Sequence, residues 1–431
     1  MRGVLAPLIT SPESADSDTR RMKAGPIQLS AECTGTTVPS AKVGITRASV
    51  DQRVRCVATH ALTQRDIGAW LELEGRAVEP NAHHSPCFVL PALRHLDAGT
   101  KAVVMLVERH CAGATELLGA AVVRQRLRSP VCVLPHVETY MSRHSYLGAP
   151  LLDREHAGDA AAALLRRLQA LSPTSAGLVI RHLDGYGDLL FCLEHATRDA
   201  GRPLSTFGAV NRAMLIPTWA DTGLTMSLRS RFAEVERCRR RMSELGHLQW
   251  SAHRGEVSEA QVDDFLRLEH LGWKAEGGTS LRSSAADEAF FRDMTARFSA
   301  AGRALFTELK LDGRAVASTA NYVSGGAGFA FKVGWDRHYR KFGVGILNEA
   351  ELVHQAASVC ADLRFMDSGA AQGSFIDKLW PQRRKLVTAF LPTSSWGAAA
   401  WKVLEHVRLL RAVKSTNHID AGAADAAEKP S

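Results

Sequence analysis

Apolar and polar residues alternate with the period of a β-strand in three consecutive runs, at 304–311, 315–323 and 328–335. The first two runs are separated by Asp312-Gly313, a pair that favours a type I′ hairpin turn. Gly325-Gly326 turns the chain between the second run and the third. The pattern therefore predicts a three-stranded antiparallel meander in the second half of the chain.

Helical patterns stand on both sides of this meander. Ser258 and Gln261 form a capping box that opens an amphipathic helix, and a second helix is predicted at about 285–301. After the meander, apolar residues recur at helical spacing from about Gly345, and a short strand follows at 363–369. The predicted order is three antiparallel strands, a glycine loop, a helix and a further strand.

The first half shows a fainter version of the same order. The runs 101–107 and 116–123 are compatible with a hairpin. The elements predicted after them are a helix at about 158–171, a strand at 177–182, a helix at 186–200 and a strand near 204–210. Although no repeat is visible residue by residue, the order suggests a duplicated module.

Composition divides the chain further. It has 431 residues, of which 45% are hydrophobic and 23% charged, as in ordinary globular proteins. Residues 1–50 and 412–431 are rich in small and polar residues, so we expect them to be disordered. Between them we predict a first module at 51–215 and a second module at 216–411.

Several classes of protein are not favoured by the sequence. No apolar run is long enough for a transmembrane helix, and the apolar start is broken by Pro7, which is unusual in a signal peptide. The eight cysteines include no Cys-x-x-Cys pair, which favours reduced thiols in a cytoplasmic protein. His83, His84 and Cys87 lack a second ligand pair, so we expect no metal. The net charge of +8 favours anionic partners.

An Arg-x-x-Gly-x-Gly motif lies between the meander and the helix that follows it. The motif consists of Arg340, Lys341, Phe342, Gly343, Val344 and Gly345. Backbone N–H groups at a helix N-terminus lack intrahelical partners and can converge on a phosphate, which glycines allow to come close. Hydrogen bonds to charged groups contribute roughly 1.5–3 kcal/mol each, more than the helix dipole. Alone, the motif also fits an ordinary glycine turn, but its position predicts a phosphate or pyrophosphate site.

The meander, the motif and the helix together resemble the GNAT acyltransferase fold. The segments 268–281, 331–347 and 365–384 resemble a bacterial tandem-GNAT, FemAB-like group associated with cellulose and exopolysaccharide biosynthesis. In the first half, 138–153 resembles the degenerate N-terminal module of that group, and the resemblance spans about residues 80–400.

This resemblance implies a fold class and a co-substrate. The expected fold is α/β, with two GNAT-like modules in tandem, each a mixed and mostly antiparallel sheet flanked by helices. The co-substrate is acetyl-CoA or another acyl-CoA, with its pyrophosphate on the motif at 340–345 and its thioester beside the backbone near Val333. The first module lacks the motif, so we expect it to bind no cofactor of its own.

Three residues are candidates for proton transfer. An amine acceptor with a pKa of about 10.4 costs roughly 4–5 kcal/mol to neutralise at pH 7, so a positioned base is useful. Asp367 ends the strand after the cofactor helix and is the candidate base, unless it only caps a turn. Asp336 is a second candidate, with an Asx turn as the alternative. Tyr339 is a candidate acid for the leaving thiolate, unless it is a packed aromatic residue.

Three further residues are candidates for binding the acceptor. Trp273 and Lys274 follow the first helix of the second module. The alternative to acceptor binding is that Trp273 is structural and that the segment is a flexible loop. Glu308 lies on the same face of its strand as Lys310, and a solvated side chain is the default there.

We therefore expect an enzyme that moves an acyl group, most simply acetyl, from CoA to an amine or hydroxyl acceptor in polysaccharide or cell-envelope biosynthesis. One alternative is a FemAB-like aminoacyl transferase, in which the basic helix at 229–241 receives tRNA. The other is a non-catalytic accessory protein of polysaccharide synthesis. Binding of tRNA is steeply salt-dependent, which separates the first alternative from a CoA enzyme.

Overall fold

The computed structural model describes residues 51–111, 114–219, 226–271 and 277–407. The predicted disorder of 1–50 and 412–431 lies outside these residues. The strands are β1 (Asp51–Ala58), β2 (Val103–Cys111), β3 (Ala114–Arg126), β4 (His136–Thr139), β5 (Leu151–Leu152), β6 (Gly177–Asp184), β7 (Ser205–Leu215), β8 (Leu248–Gly255), β9 (Ala304–Leu311), β10 (Arg314–Ser324), β11 (Ala327–Trp335), β12 (Phe365–Asp367) and β13 (Gln382–Pro392).

The helices alternate with these strands along the chain. They are α1 (Gln64–Arg76), α2 (Pro86–Pro91), α3 (Ala157–Leu171), α4 (Asp188–Asp199), α5 (Met226–Ser243), α6 (Glu259–His270), α7 (Ala285–Ala300), α8 (Val344–His354), α9 (Ala356–Val359) and α10 (395–407). Among the described residues, no helix is both long and apolar enough to cross a membrane.

The predicted meander is confirmed as β9, β10 and β11, which pair antiparallel. The turn between β9 and β10 has positive φ at both central residues, 49° at Asp312 and 79° at Gly313, as a type I′ turn requires. The capping box of α6 is also present, because Ser258 and Gln261 each accept a hydrogen bond from the backbone N–H of the other.

The two halves of the chain repeat one order of elements. In the first half, β1 to β4 pair as an antiparallel meander, α3 follows, and β6 returns parallel to β4. In the second half, β8 to β11 form the meander, α8 follows, and β12 returns parallel to β11. The predicted elements of the first half are therefore present, and the duplication is visible in the topology.

The halves exchange strands and share one sheet. Its order is β1-β2-β3-β4-β6-β13-β7-β12-β11-β10-β9-β8. Strand β13 comes from the second half but pairs with β6 and β7 of the first, while β7 pairs with β12 of the second. The predicted boundary at 215/216 directly follows β7, and this division of the chain stays a prediction.

Helices cover both faces of the second half of the sheet. On one face, α6 and α7 pack over β9 and β11 through aromatic residues, with Phe265 and Phe291 stacked at 5.0 Å between ring centroids. On the other face, α5 and α8 pack over Leu305 and Leu309. Alternate residues of β9 therefore face different helix layers.

A buried group of charges lies where the halves meet. The guanidinium of Arg384 on β13 donates to Glu79 at 2.7 Å, to Asp184 at 2.7 Å and to Asp367 at 2.9 Å, and the residue is only 4% exposed. Arg212 on β7 gives Asp367 a second ion pair at 3.4 Å. Burial raises the pKa of Glu79 to about 7 in spite of the attraction of Arg384. One side chain thus holds together three segments that are far apart in sequence.

Replacing Arg384 by Ala is expected to destabilise the fold strongly. It would leave the buried carboxylates of Glu79 and Asp367 and the half-buried one of Asp184 without their shared cation, and removing one partner of a buried ion pair costs about 3–5 kcal/mol. Urea denaturation followed by circular dichroism measures the free energy of unfolding. As a control, Arg166→Ala on the exposed face of α3 should change it by less than about 0.5 kcal/mol. Equal losses in the two variants would contradict this account of the charge group.

Candidate functional site

The Arg-x-x-Gly-x-Gly motif forms the start of α8, as predicted. Gly343 has φ of +61°, a left-handed conformation that favours glycine, and precedes the first residue of the helix. Its carbonyl accepts from the N–H of Leu347 at 2.9 Å. The first turn contains no acidic residue, and Arg340 and Lys341 are exposed beside it. The N–H groups of this turn lack intrahelical acceptors, so the loop has the chemistry of an anion site.

The second glycine of the motif packs against an aromatic ring. A Cβ atom added to Gly345 would lie 3.1 Å from Cδ1 of Trp335, the last residue of β11. The start of α8 therefore lies directly against the end of that strand, and a branched side chain at position 345 would have to displace one of them.

A buried polar network fixes α8 on the sheet. Asn348 donates to the hydroxyls of Thr307 and Thr319, at 2.8 Å each, and accepts from Nε1 of Trp250 at 3.1 Å. The Thr319 hydroxyl also donates to Glu349 at 2.6 Å. Burial raises the pKa of Glu349 to about 7. No sequence-based prediction included this network, although the adjacent polar pair Asn348 and Glu349 within a mostly apolar run was its signal.

Strands β11 and β12 form a fork next to this helix. They pair in parallel at three positions, the last of which is Phe329 opposite Asp367. Beyond this position the described residues of the two strands form no further pairs. Strand β11 continues to Trp335, with Phe331 as the extra residue of a β-bulge against β10. The edge of β11 that faces the fork, which includes Val333, therefore leads to the N-terminus of α8.

Asp367 lies at the base of this fork. Its carboxylate is ion-paired to Arg384 and Arg212 and accepts from the N–H of Gly369 at 2.9 Å. Burial by itself would raise the pKa of Asp367, but the two guanidiniums and the Gly369 N–H lower it below its ordinary value. The turn-capping contact is thus present. The assignment of Asp367 as a base stays a prediction, and a paired carboxylate of low pKa is a weak base.

The other two candidates for proton transfer lie in the turn before α8. Asp336 accepts from the backbone N–H of His338 at 3.0 Å, as in an Asx turn, and also contacts the ring Nδ1 of His338 at 2.7 Å. Tyr339 is half-buried and packs against the apolar cluster under α8. The structure therefore places both residues in the turn between β11 and α8, and their chemical roles stay predictions.

Glu308 differs from the expected solvated side chain. It is 1% exposed on the face under α6, because Gln261 and its helix cover it. One carboxylate oxygen lies 3.0 Å from Nε2 of His253 and 3.3 Å from Nζ of Lys310. The default was therefore wrong, and a role in acceptor binding stays a prediction. Trp273 and Lys274 lie outside the described residues.

The equivalent fork of the first half is closed. Strands β4 and β6 pair at two positions, and beyond them the N–H of Gly148 donates to the carbonyl of Arg181 at 2.9 Å. A Cβ atom at position 148 would lie 2.8 Å from that carbonyl oxygen, so the chain fills the gap. Helix α3 carries Asp159 in its first turn, and a carboxylate there competes with any anion. In the second half the chain also comes close at the base of the fork, where a Cβ atom added to Gly369 would lie 2.6 Å from the carbonyl oxygen of Ala330. Among the described residues, the two halves therefore differ most clearly at the helix N-terminus, because the first turn of α8 carries no acidic residue.

The basic helix α5 lies beside the motif. Phe232 and Met242 on its apolar side are buried in the cluster under α8, which agrees with the predicted amphipathic pattern. Arg241 lies over the ring of Phe342 at 6.0 Å from its centroid, and Nζ of Lys341 approaches the same ring at 5.0 Å. Two elements that are separate in sequence thus place cations around one loop.

The comparisons with known proteins agree with this geometry. Residues 229–375, about a third of the chain, match the family model described as an acetyltransferase (GNAT) domain. The second half therefore carries a GNAT-type acyltransferase domain, which supports a transferase, and the match together with the sheet order confirms the predicted fold class. No curated protein matches the chain. The expected link to cellulose or exopolysaccharide biosynthesis finds no support in the comparisons.

Several solved structures are similar to the chain at low identity. The C-terminal domain of a putative lysylphosphatidylglycerol synthetase from Agrobacterium fabrum is 13% identical, with a TM-score of 0.48, over 78% of this chain and 94% of that one. FemX is 11% identical, with a TM-score of 0.49, over 79% and 96%. A tandem GNAT protein from the clavulanic acid biosynthesis pathway is 14% identical, with a TM-score of 0.39, over 80% and 99%.

The structure shows no candidate metal centre in its described ranges, where no three His, Cys, Asp or Glu side chains are grouped to hold an ion. His84 is buried and its Nε2 accepts from the N–H of Val122 at 3.0 Å, while burial lowers its pKa to about 4. This ring therefore serves as a neutral acceptor within the core.

Glu349 predicts a pH dependence of stability. Its pKa is raised to about 7 in the folded protein, so ionisation is favoured in the unfolded chain and stability falls as the pH rises from about 4.5 to about 7. A shift of this size corresponds to up to about 3 kcal/mol. Glu349→Gln cannot ionise and should lose this part of the pH dependence. Urea denaturation of both proteins at pH 5 and pH 8 measures it, and parallel pH profiles would contradict the assignment.

Proposed function

We propose that the protein transfers an acyl group, most simply acetyl, from acyl-CoA to an amine or hydroxyl acceptor. The observation that carries the proposal is the junction of two features in the second half. The N-terminus of α8, with Arg340 and Lys341, offers directed N–H groups and charge to a pyrophosphate. The edge of β11 that faces β12 runs from this helix N-terminus to the fork between the two strands.

The strand edge suits the arm that connects a pyrophosphate to a thioester. That arm contains amide groups, which can pair with backbone N–H and C=O groups as an added strand does. Along β11, the four residue steps from Trp335 to Phe331 span about 13 Å. A pyrophosphate on α8 therefore directs the thioester towards the fork, where the backbone near Val333 is the proposed donor to the thioester carbonyl oxygen.

The proposed reaction is direct attack by the acceptor on the thioester carbon. The new bond to the acceptor nitrogen or oxygen forms, the carbon–sulfur bond breaks, and CoA leaves as a thiolate that takes up a proton. The acceptor's proton passes to a base or to water, for which Asp367 and Asp336 are the proposed groups. Tyr339 is the proposed donor to the thiolate. The described residues at the fork include no cysteine nucleophile, and no covalent enzyme intermediate is required.

Gly345→Val is expected to weaken CoA binding at least tenfold, or about 1.4 kcal/mol. A branched side chain would press on Trp335, where even a Cβ atom lies at 3.1 Å, and would occupy the approach to the helix N-terminus. Isothermal titration calorimetry with CoA measures the affinity. The wild type should bind one CoA per chain, because the fork of the first half is closed by Gly148.

The matched control is Gly75→Val in α1, where an added Cβ atom has no neighbour within 4 Å. It should leave the affinity for CoA unchanged. Unaltered CoA binding by a folded Gly345→Val protein would overturn the assignment of the loop, and a stoichiometry of two would overturn the scaffold role of the first half.

A second candidate function is a transfer that depends on aminoacyl-tRNA, and the charge beside the loop favours it. Arg237, Arg240 and Arg241 of α5 are exposed and make no ion pair with a described carboxylate. Together with Arg340 and Lys341 they form a cationic surface that is larger than one pyrophosphate needs. A surface of this kind can neutralise several phosphates of an RNA backbone.

Salt dependence separates the two candidates. If the cationic surface binds tRNA, the logarithm of affinity should fall linearly with the logarithm of salt, and Arg237→Ala/Arg241→Ala should reduce the slope by about two phosphate contacts. Filter binding of tRNA from 50 to 300 mM salt measures the slope. Arg166→Ala on α3 is the control and should change nothing. Weak tRNA binding that is insensitive to the α5 variant, combined with tight CoA binding, would reject this candidate.

A further inference from the structure

A tyrosine from the first half of the chain bridges the fork of the second half. The hydroxyl of Tyr146 donates to the carbonyl of Phe331, the bulged residue of β11, at 3.2 Å. A Cβ atom added to Gly369 would lie 2.9 Å from Cδ2 of Tyr146 and 2.6 Å from the carbonyl oxygen of Ala330. The ring therefore reaches from β11 to the turn after β12, two residues beyond the last paired position, Phe329 opposite Asp367.

The backbone of Tyr146 is held by two side chains, the buried Arg212 and the half-buried His182. Its carbonyl accepts from both terminal nitrogens of Arg212, at 3.2 Å each, and from Nδ1 of His182 at 3.1 Å. Arg212 is fixed in turn by Asp367. His182 has φ of +54°, a strained conformation for a residue with a side chain, and such strain persists only where the surroundings enforce it.

The ring also has little room to withdraw from the fork. His83 packs edge-on behind it at 5.1 Å between ring centroids, and Phe331 lies at 6.2 Å. His83 is itself 4% exposed within the aromatic cluster under α6 and α7. Because packed interiors yield little to added volume, the ring is a fixed boundary and not a movable side chain.

We propose that Tyr146 is the end wall of the acyl site and restricts the transferred acyl group to a short one such as acetyl. This inference rests on the function proposed above, in which the co-substrate arm follows β11 into the fork. The acyl group then points at the ring, and a chain longer by several methylenes meets it. Burial raises the pKa of Tyr146 to about 12, so the hydroxyl stays protonated and keeps its hydrogen bond to Phe331.

The test compares the binding of free CoA, acetyl-CoA and octanoyl-CoA by isothermal titration calorimetry. The wild type should bind acetyl-CoA at least tenfold more tightly than octanoyl-CoA. Tyr146→Ala should bind the two with affinities within about threefold, because the wall is removed. Tyr146→Phe is the matched control, since it keeps the ring and should keep the discrimination of the wild type. Free CoA carries no acyl group and should bind all three proteins alike.

Each outcome decides the inference. Equal affinities of the wild type for acetyl-CoA and octanoyl-CoA would overturn it, as would unchanged discrimination by a folded Tyr146→Ala protein. If Tyr146→Ala does not fold, Tyr146→Leu keeps part of the apolar volume and is measured in its place. Absence of binding by free CoA and by both acyl-CoAs overturns the proposed function itself, and the wall with it. Binding of free CoA without discrimination among acyl groups overturns the wall alone.

Discussion

The shared guanidinium of Arg384 is the contact on which the arrangement of the two halves depends. It joins Glu79 before α2, Asp184 at the end of β6 and Asp367 at the end of β12. Such a buried charge group contributes little net stability compared with apolar packing, but separating the segments would leave the buried carboxylate of Glu79 without its cation. The exchange of β7 and β13 between the halves places Asp184, Arg384 and Asp367 within four adjacent strands, β6, β13, β7 and β12.

The halves share a topology but differ at the position where a ligand could enter. In the first half, the chain at Gly148 closes the gap between the parallel strands, and Asp159 neutralises the start of α3. In the second half, β11 and β12 form no pairs beyond Phe329 and Asp367 among the described residues, and the start of α8 carries glycine and cations. The first half also contributes Tyr146 and Arg212 to the open fork. The first half therefore contributes side chains to the proposed site of the second half.

The proposed site combines a rigid floor with an exposed charged rim. Asn348 and Glu349 fix α8 on the threonines of β9 and β10, so the N–H groups of its first turn have a defined direction. The cations of α5 and of the motif lie in solvent, where they attract an anion from a distance but are screened by salt. In the proposed function, the directed amides would give the specificity for a phosphate, and the charged rim would raise the rate of encounter.

The sequence by itself determined the elements whose signals are local. The meander, its type I′ turn, the capping box of α6 and the glycine motif before α8 depend on residues within a few positions of one another, so their periodicity and turn chemistry were sufficient. Only the tertiary structure decided the contacts made across long separations. Glu308 is buried because α6 covers it, and Asp367 is ion-paired because β7 and β13 bring arginines to it. Tyr146 meets Phe331 across 185 residues of sequence, and no local pattern records such a contact.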